Sequence, residues 1–487
     1  LFEKEYTMTT KTAGTIGAGL RGDGAIGEAI GAILDRAASY NDQITDVKPA
    51  DPGLASEFKA MLKRAGENKG RGLLYPSIQS GAGNGALVEM EDGSVKWDML
   101  TGIGVHFLGH GNPKVLEAQL RAGIMDTTKH GNLQTSYDAF EFGEKLVRLA
   151  QRSSNLKHAF LTTSGAMANE SAIKVCYQKH APASRVIAFE HCFMGRSVTM
   201  CQIGDSAGGR QGIPLSTQVD YMPFYNPMIA ERMGGATRFI DMSVEHLQSY
   251  ITRYPGQHAC FIFELVQGEG GFNVANRDFF KALMDVCKDN GIAVWDDEIQ
   301  SFGRTEQMFA YEMYNLGEYI DVFCVGKMTQ ACAALFTEQY NPKPGLLSGT
   351  FTGATADFTV GNVLLDELEH GGYYGAEGKF AKHHALFREQ VKGLIEKHPD
   401  WFPARPDGGE LVGGVGGMMR FTPFGGDREK VMAACKAAYE EGVICFYCGH
   451  GPFHVRMLPP LPVFKEADWG RVFGCLERAL GRVANGS

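Results

Sequence analysis

Residues 294–327 read VWDDEIQSFGRTEQMFAYEMYNLGEYIDVFCVGK, and the fold is decided there. An apolar run, Gly291-Ile292-Ala293-Val294-Trp295, predicts a buried strand that ends at the carboxylate pair Asp296-Asp297. A second run, Tyr319-Ile320-Asp321-Val322-Phe323-Cys324-Val325, predicts another strand that stops at Gly326-Lys327. Asp297 and Lys327 are 30 residues apart, about the length of one βαβ unit. Two neighbouring parallel strands would bring both side chains to one edge of a sheet, and ligands sit outside the carboxyl ends of such strands. A plain ion pair satisfies the same spacing.

Further segments extend the pattern on both sides. Phe160-Leu161-Thr162-Thr163-Ser164-Gly165-Ala166 predicts a strand, a small-residue turn and a helix start, and Ser171 to Gln178 continues the helix. Free N–H groups at such a helix start form an anion site. Arg185 to Phe189 and Ala259 to Glu264 are two more buried strands, and Asp278 to Asp289 is a helix. Strands and helices thus alternate from 159 to 327, which predicts a mainly parallel sheet with helices on both faces. Towards the N-terminus, residues 86–98 alternate around Asp92-Gly93 and predict a hairpin. Residues 54–64 read as helical, Pro113 starts a helix, and Ala356 to His370 is a long one.

Asp297-Glu298-Ile299-Gln300, then Phe302-Gly303-Arg304-Thr305, then Lys327, together resemble the signature of the class III aminotransferases. These are pyridoxal-phosphate (PLP) enzymes of fold type I. Gly326-Lys327-Met328-Thr329-Gln330 is similar to the lysine 6-aminotransferase branch, with the 4-aminobutyrate aminotransferases close by. The resemblance covers roughly residues 85–480, with the motifs in the family's order. It departs at Met194, where the family usually has His, at Leu265, where it usually has Pro, and at Ala354-Thr355, where it usually has Asn-Pro.

The resemblance implies a fold and a set of roles. The fold is α/β: a large domain with a mainly parallel, mixed seven-stranded sheet, and a smaller α+β domain built from both ends of the chain. The boundaries implied are an arm over 1–50, small-domain parts over 51–108 and 371–487, and the large domain over 109–370. Lys327 would be the Schiff-base lysine and proton carrier. Asp297, rather than Asp296, would pair with the pyridine nitrogen, since a carboxylate favours the charged ring. Gln300 would bind the ring hydroxyl and Phe193 would stack on the ring. Ser164, Gly165 and Ala166 would cup the phosphate. Thr350, in Ser348-Gly349-Thr350-Phe351-Thr352-Gly353, would reach the phosphate of a neighbouring subunit, which makes the unit a homodimer with shared sites. Arg456, ahead of Leu458-Pro459-Pro460-Leu461, would bind a substrate carboxylate, and Glu269 in Gln267-Gly268-Glu269-Gly270-Gly271 would neutralise it. The activity implied is transfer of an amino group from an ω-amino acid or related amine to a keto acid such as 2-oxoglutarate. A racemase, epimerase or aminomutase would use the same cofactor residues.

Composition bounds the rest. With 487 residues, 44% hydrophobic and 21% charged, the chain is globular and long enough for two or three domains. A net charge of −9 argues against a general nucleic-acid binder. No apolar run reaches membrane-spanning length. Eleven scattered cysteines, mostly in apolar segments, suit a reducing, cytoplasmic setting. Cys445 and Cys448 form one C-x-x-C, but no second pair stands at zinc-site spacing, so no metal is expected. Gly17-Ala18-Gly19-Leu20-Arg21-Gly22 matches a dinucleotide fingerprint literally, yet lacks the strand ahead of it and reads as a flexible arm or a helix start. The glycine-rich 408–419 stretch lacks a phosphate loop's Gly-Lys ending and reads as a turn and edge strand. The N-terminus carries no signal-peptide pattern, and Leu1–Thr7 reads as a non-native extension or the lead of an alternative start.

Overall fold

The computed structural model describes residues 14–486, and Leu1–Thr7 lies outside the described residues. Seven strands form the central sheet: β1 Leu156–Thr162, β2 Arg185–Phe189, β3 Gln218–Met222, β4 His258–Phe263, β5 Ala293–Glu298, β6 Val322–Val325 and β7 Cys332–Thr337. Their order is β1-β7-β6-β5-β4-β2-β3. Strand β7 runs antiparallel to both its neighbours, and every other pairing is parallel.

The unbroken apolar runs have a cause. On β4, Phe261 and Phe263 join the core that holds Phe279 and Phe280 of the Arg277–Asp289 helix. The alternate residues Cys260 and Ile262 join a second core with Val175 and Cys176 of the Gly165–His180 helix. Both faces of the sheet are covered, so a strand needs apolar side chains at every position. Each such aromatic contributes roughly 1.5–3 kcal/mol on burial.

Two strand boundaries differ from the sequence expectation. Gly291 has φ +63°, so the chain is still turning there and β5 begins at Ala293. Tyr319 closes a 3-10 turn, Gly317–Tyr319, instead of opening a strand. Asp321 directs its carboxylate to the Val294 N–H at 2.9 Å and the Lys288 ammonium at 2.7 Å, which fixes the approach to β6.

Outside the central sheet, Leu87–Met90 and Val95–Asp98 form the expected hairpin, with Gly93 at φ +73° in its turn. Val443–Ile444 pairs with Val95–Asp98, so the two ends of the chain share a sheet. Val412–Val415 is an edge strand of a second small sheet, which continues through Met418–Phe421 and His454–Met457 to Phe446–Cys448. Gly17–Gly22 lies in a helix, Ile16–Gly22, whose start is capped by Thr15 Oγ1 accepting from Ala18 N at 3.1 Å. Among the described residues no helix is long and apolar enough to cross a membrane.

Candidate active site

Strands β5 and β6 lie side by side, with Asp297 opposite Cys324 and Glu298 opposite Val325. Both therefore end at one edge, where Asp297 and Lys327 line the same cavity of about 170 Å3. Alternation along β5 separates the two aspartates. Trp295 faces the Gly165–His180 helix, and Asp297, two residues on, faces the same way. Its carboxylate accepts from Asn169 Nδ2 at 2.7 Å and from Ile299 N at 2.9 Å. Burial pushes Asp297 up to about 6, against those two bonds and the Lys327 charge.

Asp296 points the other way and is wholly buried, and no N–H or hydroxyl group donates to either of its oxygens; its carboxyl lies against that of Glu298. Burial, then the charges of Glu298 and Asp297, raise it well above the carboxylate range, so it is neutral in the fold. An acid whose folded-state pKa is raised costs nothing at low pH and costs stability as pH rises above its unfolded value of about 3.9. Asp296→Asn removes that cost. Its unfolding temperature should exceed the parent's at about pH 8 and match it near about pH 4, as scanning calorimetry would show. An equal difference at both pH values would contradict a buried neutral Asp296.

Lys327 opens a 3-10 turn, Lys327–Thr329, with φ +47°. Left-handed backbone at a non-glycine residue is strained, and such strain gathers at functional sites. Burial lowers the basicity of Lys327, and the Glu269 and Asp297 charges oppose that.

The Gly165–His180 helix starts at the cavity. Ser164 is its N-cap, with Oγ accepting from Met167 N at 3.3 Å, and Gly165 and Ala166 line the cavity. A Cβ on Gly165 would sit 2.8 Å from Ile299 Cγ2, so a larger residue there would force the Ile299 side chain to shift. Phe193 and Gln300 line the same space. Arg456, on His454–Met457, is fully buried, and its Nη1 donates to Glu269 Oε1 at 2.7 Å and to Gln300 Oε1 at 3.4 Å. Leu265 is buried in the family's proline position, and the loop beyond it still delivers Glu269 to Arg456. Burial acts to raise Glu269, but the Arg456 charge and hydrogen bond, with Lys327, hold it below its usual range.

One expected residue stands apart. Thr350 is exposed, on the loop before Gly353–Ala354, which pairs with Lys129–His130, and it is not among the residues that line this chain's cavity. Two residues went unassigned in the sequence. Asn169 bridges Asp297 and the Met194 carbonyl, at 2.8 Å to the latter. Its only signal is a buried polar position one helical turn after Gly165. Glu264 lines the cavity beside Asp297.

A sequence profile described as Aminotransferase class-III matches residues 74–480. The chain belongs to the class III aminotransferases. One relative, 4-aminobutyrate aminotransferase of Mycobacterium tuberculosis (strain ATCC 25618 / H37Rv), is 28% identical over 440 residues, 85% of this chain and 93% of its own. Another, diaminobutyrate–2-oxoglutarate transaminase of Wolinella succinogenes, is 27% identical over 417 residues, 82% of this chain and 90% of its own. Among solved structures, a Bacillus anthracis aminotransferase has a TM-score of 0.76 at 19% identity, covering 88% of this chain and 99% of that one. Ornithine aminotransferase of Toxoplasma gondii ME49 has a TM-score of 0.68 at 20% identity, covering 85% and 93%. These two share the fold. The class III enzyme described here is a PLP-dependent transaminase, and its family leaves the donor open.

The residues present fit that cofactor. A buried carboxylate, a flat aromatic, a helix start and an amine face one cavity, as a cationic ring, a phosphate and an aldehyde require. Asn169 Oδ1 and Ser301 Oγ, both buried at the lining, have no partner, which is expected where a polar ligand completes a site.

Proposed function

We propose that this enzyme moves the amino group of an ω-amino acid or related amine to 2-oxoglutarate, with Lys327 as the tether. The observation that carries the reading is the 2.7 Å Arg456–Glu269 bond beside the cavity that holds Lys327. A guanidinium fork suits a carboxylate. While Glu269 neutralises Arg456, an amine with no carboxylate next to it can occupy that end. When Glu269 turns away, Arg456 takes the carboxylate next to the keto group. The relatives named for 4-aminobutyrate and diaminobutyrate support such a donor, and the second is also named for 2-oxoglutarate.

Bound PLP supplies an aldehyde and an electron-withdrawing ring. Lys327 would hold the aldehyde carbon and, once displaced by the substrate amine, take up the proton from the substrate carbon. Its lowered basicity leaves more of it neutral for that task. Asp297 would keep a proton on the ring nitrogen, with Asn169 orienting the carboxylate. Gln300 would bind the ring hydroxyl and Phe193 would support the ring face. Ser164, Gly165 and Ala166 would hold the phosphate through the helix start.

Thr350 of a second copy would complete that phosphate site in a homodimer. Its exposure supports this, as does that of its neighbours Phe351, 50% exposed, and Leu133, fully exposed. The setting would be the cytoplasm, since all eleven cysteines are unpaired.

Measuring the two half-reactions separately tests the gate. Arg456→Lys keeps the charge and loses the fork. Binding of 2-oxoglutarate should weaken about 10- to 150-fold, the worth of a charged hydrogen-bonded contact. Glu269→Ala should slow the donor half-reaction and leave the keto-acid half nearly unchanged. Equal losses in both halves would make Glu269 structural and end the gate model.

A further inference from the structure

The segment that carries Phe193 is tied to the segment that carries Glu269 at several points. Phe193 N donates to Glu264 Oε2 at 3.1 Å, and Gly268 N donates to Glu264 Oε1 at 3.2 Å. Gln267 Nε2 donates to the Glu190 carbonyl at 2.7 Å. Gly449 N donates to the Glu269 carbonyl at 2.9 Å, and the next ring, His450, stacks on His191 with centroids 4.8 Å apart. Glu264 alone of these groups has a side chain that lines the cavity and grips both segments.

A carboxyl is an expensive choice at a buried position, where an apolar side chain would pack at no electrostatic cost. Glu264 is 7% exposed. Burial, then the Asp297 charge, push it up to about 8, while the Phe193 and Gly268 N–H groups that donate to it favour the carboxylate. Its geometry supplies one acceptor oxygen for each of two N–H groups, that of Phe193 on another segment and that of Gly268 four residues along its own.

We propose that Glu264 is a positioning residue that couples the Phe193 platform to the Glu269–Arg456 gate, so that the cofactor and a dicarboxylate, which must displace Glu269 from Arg456, oppose each other's binding through it. The proposal rests on the site reading given above. A ring pressed on Phe193 fixes the Phe193 N–H on one oxygen of Glu264. The other oxygen then holds the Gly268 N–H, and with it the peptide that presents Glu269. Such coupling is reciprocal, so it can be read from either ligand.

The holoenzyme is dialysed against graded free PLP, with and without saturating glutarate, a dicarboxylate with no keto group to accept an amine. Bound cofactor is read by absorbance, in the parent, in Glu264→Gln and in Glu264→Ala. Glutarate should loosen cofactor retention about fivefold or more in the parent and less than about twofold in Glu264→Ala. Glu264→Gln keeps one acceptor oxygen and should fall between them. The same loosening in Glu264→Ala as in the parent overturns the proposal. Should Glu264→Ala not fold, an unchanged loosening in Glu264→Gln overturns it, because the amide leaves one N–H group without an acceptor. Unchanged retention in the parent overturns it as well, while the separate half-reactions of Arg456→Lys and Glu269→Ala decide the gate reading.

Discussion

Lys327→Ala should lose transamination while keeping the fold. Lys327 sits at the carboxyl end of β6, partly exposed into the cavity. Its side chain packs no core, so its loss removes chemistry rather than support. Two contributions vanish together. The tether that orients the cofactor's reactive carbon is gone, and so is the amine that carries the proton. A positioned acid–base group alone is worth roughly 10²–10⁴-fold in rate, so the combined loss should be at least that large. Single-turnover absorbance with donor and cofactor would measure it, and circular dichroism would establish that the variant is folded. A folded Lys327→Ala enzyme within about tenfold of the parent would not be compatible with a proton-transfer role of that size.

Asp297→Asn should be nearly as damaging, and Asp296→Asn should not. The amide fits the space of Asp297 but cannot balance a cationic ring nitrogen. Preorganised charge of this kind is worth on the order of 10²–10³-fold in rate. Asp296, on the opposite face and already neutral, should tolerate the change with activity near the parent's. The reverse result would put the active face one residue out of register. A pH dependence follows as well. Asp297 is a carboxylate above about 6 and neutral below it. A bound ring cation favours the carboxylate and lowers its pKa in the complex. Cofactor affinity is therefore fully present above about 6 and should fall as pH drops through that value, by roughly tenfold per unit for one linked proton. The cofactor's own titrations are common to parent and Asp297→Asn, so the difference between their pH profiles isolates Asp297.

The frame of this site could be read in the sequence because two apolar runs end in chemistry. Each run needed only the rule that a doubly covered strand is apolar throughout, and the shared edge of Asp297 and Lys327 followed. The exact strand starts could not be read that way. Gly291 turns because its φ is positive, and Asp321 bends the chain through bonds to Val294 and Lys288, which are tertiary contacts. Glu269 and Arg456 are 187 residues apart, and nothing in their spacing pairs them; only the resemblance did. Asn169 and Glu264 escaped for a related reason. A polar residue within a helix, or a carboxylate closing a strand, is ordinarily solvated, and only the fold turns these two inward. The role proposed for Thr350 needs a second copy of the chain, which no single sequence displays.

The proposed tether puts Lys327 in covalent linkage with the cofactor. Borohydride reduction of the holoenzyme, followed by protease digestion and mass mapping, tests it most directly. One phosphopyridoxyl label is expected, on the peptide that contains Lys327. A label on any other lysine, with Lys327 unmodified, would contradict it.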